Sequence, residues 1–273
     1  MTQFFCDRQS QSGLIYKFIK IRACVHRWSM RVFEHNLYAD KEKTTMNTSS
    51  KELHMRIRHK PWAKPELESC SFYIADPQSQ KGNWINLFEH PERPLYVELG
   101  CGKGGFISQA APQNPNINFI AMDIKNEMLV LAKRKLETAY ESAGKQPDNI
   151  RIAIQNIERL ELAWNENDRA DRIYINFCNP WPKAKHKKRR LTHTRQLINY
   201  KKFLKGELWF KTDDDELFEE SFEYFEQAGF TIKFKSYDLH SESNIENYVT
   251  EHEKMFTEEG KKIKFLIALP REE

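Results

Sequence analysis

Leu95-Tyr-Val-Glu-Leu-Gly-Cys-Gly-Lys-Gly-Gly105 is the stretch whose reading decides the fold. An apolar run of strand length ends in a loop holding four glycines, and a helix is expected from about Gly105. Glycine allows the tight turn and the close backbone approach that a ligand-binding loop needs at the carboxyl end of a strand in an open α/β sheet. Gly100, Gly102 and Gly105 also satisfy GxGxxG, with Asp123 about where a ribose-binding acid would stand, so a nicotinamide-dependent oxidoreductase is one reading. Glu98 argues against it. A carboxylate two residues before the first glycine would repel a pyrophosphate and attract a cationic ligand group. A turn with no ligand at all is the third reading.

Working outward, apolar runs at 118–123, 150–155, 172–178 and 207–212 follow as strands. Residues 126–142 carry Met128, Leu131, Leu136 and Ala139 at helical spacing, which suits a helix covering the sheet. A helix is expected over 214–228, ending at Gly229 as a C-cap. Two long strands, 231–237 and 262–269, then flank a helical insertion at about 244–259. The alternation predicts an α/β class, with one Rossmann-like domain and a seven-stranded, mostly parallel sheet covered by helices on both faces. Five strands with helical crossovers and a terminal strand pair resemble the sheet of class I S-adenosylmethionine-dependent methyltransferases.

The 273 residues are 40% hydrophobic, enough for a substantial core. A net charge of +4 says little about partners, but its clustering says more: positive at 56–64 and 183–190, negative at 213–226. Cys6, Cys24, Cys70, Cys101 and Cys178 form no CxxC pair and have no histidine at ligand spacing. That pattern points to a reducing cytoplasm, with no disulfide framework and no metal. No apolar run approaches membrane-spanning length. Residues 1–54 differ from the rest. Residues 14–33 mix aromatics with Lys17, Lys20, Arg22, Arg27 and Arg31 and contain no acid, as a transit segment would, while 41–51 read as linker. With in-frame Met46 and Met55, the expectation is a poorly ordered extension or a mis-assigned start over 1–54, and the folded domain over 55–273.

The second informative stretch is Tyr174-Ile-Asn-Phe-Cys-Asn-Pro-Trp-Pro-Lys-Ala-Lys-His-Lys-Lys-Arg-Arg-Leu191. A strand ends at a turn made rigid by two prolines, and six of residues 183–190 are Lys or Arg. A basic run is commonly a solvated face. Placed beyond the end of a strand, this one could instead neutralise phosphates of a nucleic acid through Lys185, Lys187, Lys188, Arg189 and Arg190. Asp123 suits two ribose hydroxyls or a helix N-cap, and Asn156 suits an adenine edge or a plain turn.

With those residues in hand, the chain from about Met55 to Leu269 resembles the bacterial tRNA (guanine-N7-)-methyltransferase family. The motifs that carry the resemblance are Arg56-Ile-Arg-His-Lys-Pro-Trp-Ala-Lys64, Glu98-Leu-Gly-Cys-Gly-Lys-Gly-Gly-Phe106, Asn179-Pro-Trp-Pro-Lys183, His186-Lys-Lys-Arg-Arg-Leu191, Phe210-Lys-Thr-Asp213 and Thr250-Glu-His-Glu253. The resemblance implies S-adenosyl-L-methionine as cofactor, contacted by Glu98, Gly100, Gly102, Asp123, Asn156 and Asn179. It implies tRNA as partner, contacted by Lys183, Asp213, Thr250, Glu251, His252 and Glu253, and methyl transfer to N7 of a variable-loop guanosine by a monomer or homodimer. The family usually has Asp, assigned a catalytic role, where this chain has Asn179, and Tyr is common at His252. Because guanine N7 carries a free lone pair, Asn179 is expected to position rather than to take a proton. The alternative motivated by Asn179 is a catalytically silent tRNA-binding protein of the same fold.

Overall fold

A computed structural model describes residues 59–271. The expected extension over 1–54 lies outside them, as do Arg56 and Arg58 of the first basic cluster. In chain order the principal elements are α1 (Ala63–Glu68), β1 (Tyr73–Ile74), β2 (Leu95–Leu99), α2 (Ile107–Gln113), β3 (Asn118–Asp123), α3 (Asn126–Ser142), β4 (Ile150–Ile154), β5 (Ala170–Asn176), α4 (Thr194–Lys201), β6 (Leu204–Thr212), α5 (Asp215–Gln227), β7 (Phe230–Ser236), α6 (Glu251–Glu258) and β8 (Lys264–Pro270). Short 3-10 turns fill several connections, among them Ile157–Leu162 and Ala184–Arg189.

The strands form one sheet in the order β1-β4-β3-β2-β5-β6-β8-β7. All neighbours from β1 to β6 are parallel, and β8 runs antiparallel to both β6 and β7. Eight strands replace the seven expected, because the two-residue β1 adds itself in parallel to the outer edge of β4. Strand order reverses between β2 and β5, so the crevice beyond their carboxyl ends is the place where such a sheet binds ligands.

Period-two alternation in the central strands builds two apolar layers. Val97, Leu99, Ile120, Met122, Ile173 and Ile175 face one way, where Leu197, Tyr200, Leu217, Phe218 and Phe225 of α4 and α5 cover them. Phe119, Ala121, Ile150, Ile152 and Tyr174 face the other way, under Ile107 and Ala110 of α2 and Leu129, Val130 and Leu136 of α3. Each large apolar side chain buried in this way contributes about 1.5–3 kcal/mol of transfer free energy.

Boundaries shift where the backbone has a local reason. β5 ends at Asn176 rather than at residue 178, because Phe177 adopts φ +50°, outside any strand. β6 begins at Leu204, three residues before the expected start, across a bulge opposite Ala170 and Arg172. Gly206 permits this approach: a Cβ there would lie 2.2 Å from the carbonyl oxygen of Asp171. The helical insertion shrinks to α6, whose start is set by Thr250 as N-cap, its hydroxyl accepting the N–H of Glu253 at 3.1 Å. No helix among the described residues is long and apolar enough to cross a membrane.

Candidate active site

At the carboxyl ends of β2, β3, β4 and β5 the structure has a cavity of about 380 Å³ lined by Glu98, the glycine loop, Asp123, Asn156, residues 176–179, Trp181, Arg189 and Thr250 to His252. The glycine loop is strapped to β3, since the N–H groups of Gly100 and Cys101 both donate to the carbonyl of Met122, at 2.9 and 2.8 Å. Gly104, at φ +75°, packs so tightly on α3 that a Cβ would lie 2.8 Å from that of Ala132. Glycine is therefore required there twice over, by conformation and by space.

Glu98 is 3% exposed. Its Oε1 accepts from the Asn176 amide at 3.1 Å, whereas its buried Oε2 has no protein partner. Burial pushes the carboxyl up to about 7, against the opposing pull of the Asn176 hydrogen bond and the Lys211 charge. Asp123, at the end of β3, accepts the N–H of Gly102 through Oδ2 at 3.0 Å and that of Lys125 through Oδ1 at 2.9 Å. Burial raises its pKa as well, with those backbone donors opposing. Asn156 caps the 3-10 turn after β4, its Oδ1 accepting from Glu158 at 3.0 Å, so the plain turn role is realised and the side chain still faces the cavity.

Asn179 is exposed at the mouth, and its Oδ1 accepts the N–H of Trp181 at 3.0 Å. This turn is strained on both sides, with Phe177 at φ +50° and Trp181 at φ +45°. A non-glycine residue in that region costs of order 1–3 kcal/mol and persists only where neighbours over-determine it. Here the Phe177 N–H is held by the carbonyl of Lys211 at 2.8 Å, and the Arg189 guanidinium lies 4.1 Å from the centre of the Trp181 ring. Arg189 also donates to Glu158 at 2.9 Å, which bridges the loops after β4 and β5 across the cavity mouth.

All six expected cofactor residues, Glu98, Gly100, Gly102, Asp123, Asn156 and Asn179, line this one cavity, joined by Thr250, Glu251 and His252. Two expectations need correction. Arg190, expected to meet phosphate, is wholly enclosed, bonding the Pro180 carbonyl at 2.6 Å, Glu216 at 3.2 Å and Glu220. Glu253, expected to touch substrate, is also fully buried and binds Lys211 instead of lining the cavity. Lys187 is paired with Glu216 at 2.7 Å and with Glu220, while Lys183, Lys185 and Lys188 are exposed. Lys183 and Asp213 do not line the cavity, and Asp213 faces Lys261 at 3.6 Å.

Sequence reading missed Asn176, which orients Glu98, and Lys211. The first has a usable signal, a polar residue closing an apolar strand beside the glycine loop. Among the described residues no cluster of three or more His, Cys, Asp or Glu could hold a metal ion.

A mostly parallel sheet with a glycine loop and an acid at or next to the end of two adjoining central strands defines a class of nucleoside-cofactor enzymes, and comparison with known proteins narrows it. The family model described as "Putative methyltransferase" matches residues 92–266. A tRNA (guanine-N(7)-)-methyltransferase of Clostridium perfringens (strain 13 / Type A) is 58% identical over 216 residues, 78% of this chain and 99% of that protein. One of the same description from Clostridium botulinum (strain Eklund 17B / Type B) is 58% identical over 217 residues, 79% and 99% of the two chains. Another, from Acetivibrio thermocellus, is 52% identical over 216 residues, 78% and 99%. The chain belongs to the tRNA (guanine-N(7)-)-methyltransferase family.

Proposed function

We propose that this chain transfers the methyl group of S-adenosylmethionine to N7 of a guanosine in the variable loop of tRNA, in the cytoplasm, with residues 55–273 as the working unit. The observation that carries the proposal is Glu98 Oε2, a buried carboxylate oxygen without a protein partner on the cavity wall. Such an atom fits a ligand ammonium or sulfonium and opposes a pyrophosphate, which disfavours the nicotinamide alternative. The other donors fit the same cofactor. Each Asp123 oxygen accepts one backbone N–H and keeps a lone pair for a ribose hydroxyl, and the Asn156 amide is free to donate toward a base edge.

S-adenosylmethionine, when bound, supplies an electrophilic methyl group on a positively charged sulfur. Guanine N7 is unprotonated at neutral pH, so no side chain has to remove a proton. The protein is left with orientation and exclusion of water, in which a misplacement of 1 Å reduces rate about 100-fold. Asn179 holds its turn, and Thr250, Glu251 and His252 line the cavity beside the glycine loop, with Thr250 and Glu251 packed against Gly105.

Transfer of labelled methyl from S-adenosylmethionine to unmodified tRNA, followed by nucleoside analysis, tests the proposal. The expected product is 7-methylguanosine, from the full chain and from a chain starting at Met55 alike. Binding of tRNA and cofactor without product would establish the silent tRNA-binding protein, and tight NADH binding would establish the oxidoreductase.

Phosphate binding falls on the outward lysines. Replacing Lys183, Lys185 and Lys188 together with Ala is expected to flatten the slope of log K for tRNA against log salt by up to about 0.9 for each phosphate no longer neutralised, with the cofactor affinity unchanged. Arg190→Ala should leave that slope as it was and lower folding stability by about 2 kcal/mol, since it strips a buried hub of charge-assisted hydrogen bonds. Salt titration of tRNA binding beside urea melts separates the two. A slope equal to the parent's in the triple variant would return the run to a solvated face.

A further inference from the structure

Lys211 lies within the Phe210-Lys-Thr-Asp213 motif, and nothing in the methyl-transfer reading uses it. Its side chain is almost entirely enclosed at the end of β6, where burial lowers its pKa against the pull of Glu253. A lysine is placed there only with its donors satisfied. The ammonium donates to Glu253 Oε2 at 2.6 Å, to Asn247 Oδ1 at 2.8 Å and toward the Tyr248 carbonyl at 3.4 Å. Glu253 in turn accepts the Asn247 amide at 2.6 Å and faces His240 Nε2 at 2.7 Å.

The consequence falls on the start of α6. Thr250-x-x-Glu253 has the spacing of a capping box, in which the glutamate side chain reaches back to the N–H of the capping residue. Only half of that box forms: Thr250 caps the Glu253 N–H, while the Glu253 carboxylate is drawn away to Lys211. The turn that brings Glu251 and His252 to the cavity is therefore fixed by a strand of the sheet. The same lysine also holds the turn after β5. Its carbonyl accepts the N–H of strained Phe177 at 2.8 Å, and its ammonium lies 5.5 Å from the Phe177 ring centre. The Phe177 ring in turn stacks on His252 with centroids 6.4 Å apart.

We propose that Lys211 is a positioning residue for methyl transfer, holding the Asn179 turn by its carbonyl and the Thr250-Glu251-His252 turn by its ammonium, so that it sets the gap the guanine enters. This rests on the methyltransferase reading given above. The competing role is a purely structural ion pair, which apolar or neutral partners can often replace without loss.

The test compares Asn247→Ala and the charge-neutral double variant Lys211→Met/Glu253→Gln with the parent, in the full chain. The measurements are thermal melts, cofactor affinity by calorimetry at about pH 8.5, where Glu98 is ionised, and kcat and KM for tRNA. Positioning predicts folded variants that bind cofactor within about threefold of the parent, keep KM for tRNA within about threefold and lose kcat about tenfold or more. A folded double variant with kcat within about threefold of the parent's overturns the proposal, as does a cofactor affinity that falls in step with kcat. Should the double variant not fold, Asn247→Ala decides alone, because it removes one acceptor of the Lys211 ammonium together with the amide that ties it to Glu253, and so loosens the hold on the turn without leaving a buried charge unpaired. A parent that makes no 7-methylguanosine sinks the methyltransferase reading itself; an active parent with fully active variants sinks only this one.

Discussion

Glu98→Gln is expected to make the cofactor-free protein more stable above pH 7 and, in the same molecule, to weaken S-adenosylmethionine binding about 100-fold. Both effects follow from one buried carboxyl. In the folded chain it titrates at about 7, against 4.5 for an ordinary glutamate, and desolvation is the main cause. A carboxyl whose folded pKa is raised contributes its full stability below the unfolded value and loses it as pH climbs through the folded one. The window therefore runs from about pH 4.5 to about pH 7, and the full loss is about 3 kcal/mol. A glutamine is never charged and can still accept from Asn176, so parent and variant should melt alike near pH 4 and diverge by several degrees at pH 8. Binding runs the other way. The ionised carboxylate is what a cationic ligand group needs, and removing one partner of an enclosed charge pair costs about 2–5 kcal/mol. Parent affinity should therefore fall about tenfold per pH unit below 7, and the variant's should be flat. Calorimetry across pH, paired with melts, checks both. A variant that is no more stable at pH 8, or whose affinity still follows the parent's pH profile, would remove Glu98 from the cofactor's cationic end.

Legibility in the sequence followed the range of the forces involved. Leu95–Leu99, Asn118–Asp123 and Asn126–Ser142 have the bounds their apolar periodicity predicts, because each is defined by burial against one sheet. The residues that line the cavity were readable for a related reason, since strand ends in a parallel sheet all open on one crevice. The basic run was not readable residue by residue. It looks uniform as a string of charges, yet it folds as a 3-10 turn of three residues per turn, so Lys187 and Arg190 share one inward face and Lys185 and Lys188 share the outward one. The inward pair meets Glu216 and Glu220, one turn apart on α5, in a helix that read merely as acidic. Glu253 misled for the converse reason. The resemblance places it on the substrate, whereas the partner that claims it, Lys211, lies 42 residues away on another element.

Asn179→Asp is expected to remain within about fivefold of parent activity, whereas Asn179→Ala should lose about 100-fold in kcat with the cofactor affinity little changed. What the structure asks of this position is an acceptor: Oδ1 takes the N–H of Trp181 at 3.0 Å and thereby closes a turn whose flanking residues are both at positive φ. A carboxylate oxygen does that as well as an amide oxygen; a methyl group does not. Without the acceptor, about 1–3 kcal/mol of strain at Trp181 is held by ring contacts with Arg189 and His186, and the indole can relax out of the cavity wall. The displaced turn would leave the base misoriented and the cofactor end of the cavity intact. Because N7 needs no base, the Asp variant should also gain no new limb in its pH–rate profile. Single-turnover rates for parent, Asp and Ala forms, with cofactor affinity measured beside them, decide the matter. If the parent binds tRNA and cofactor yet forms no 7-methylguanosine while the Asp variant forms it readily, the carboxylate has a chemical task that an acceptor alone cannot perform, and Asn179 is then an inactivating change.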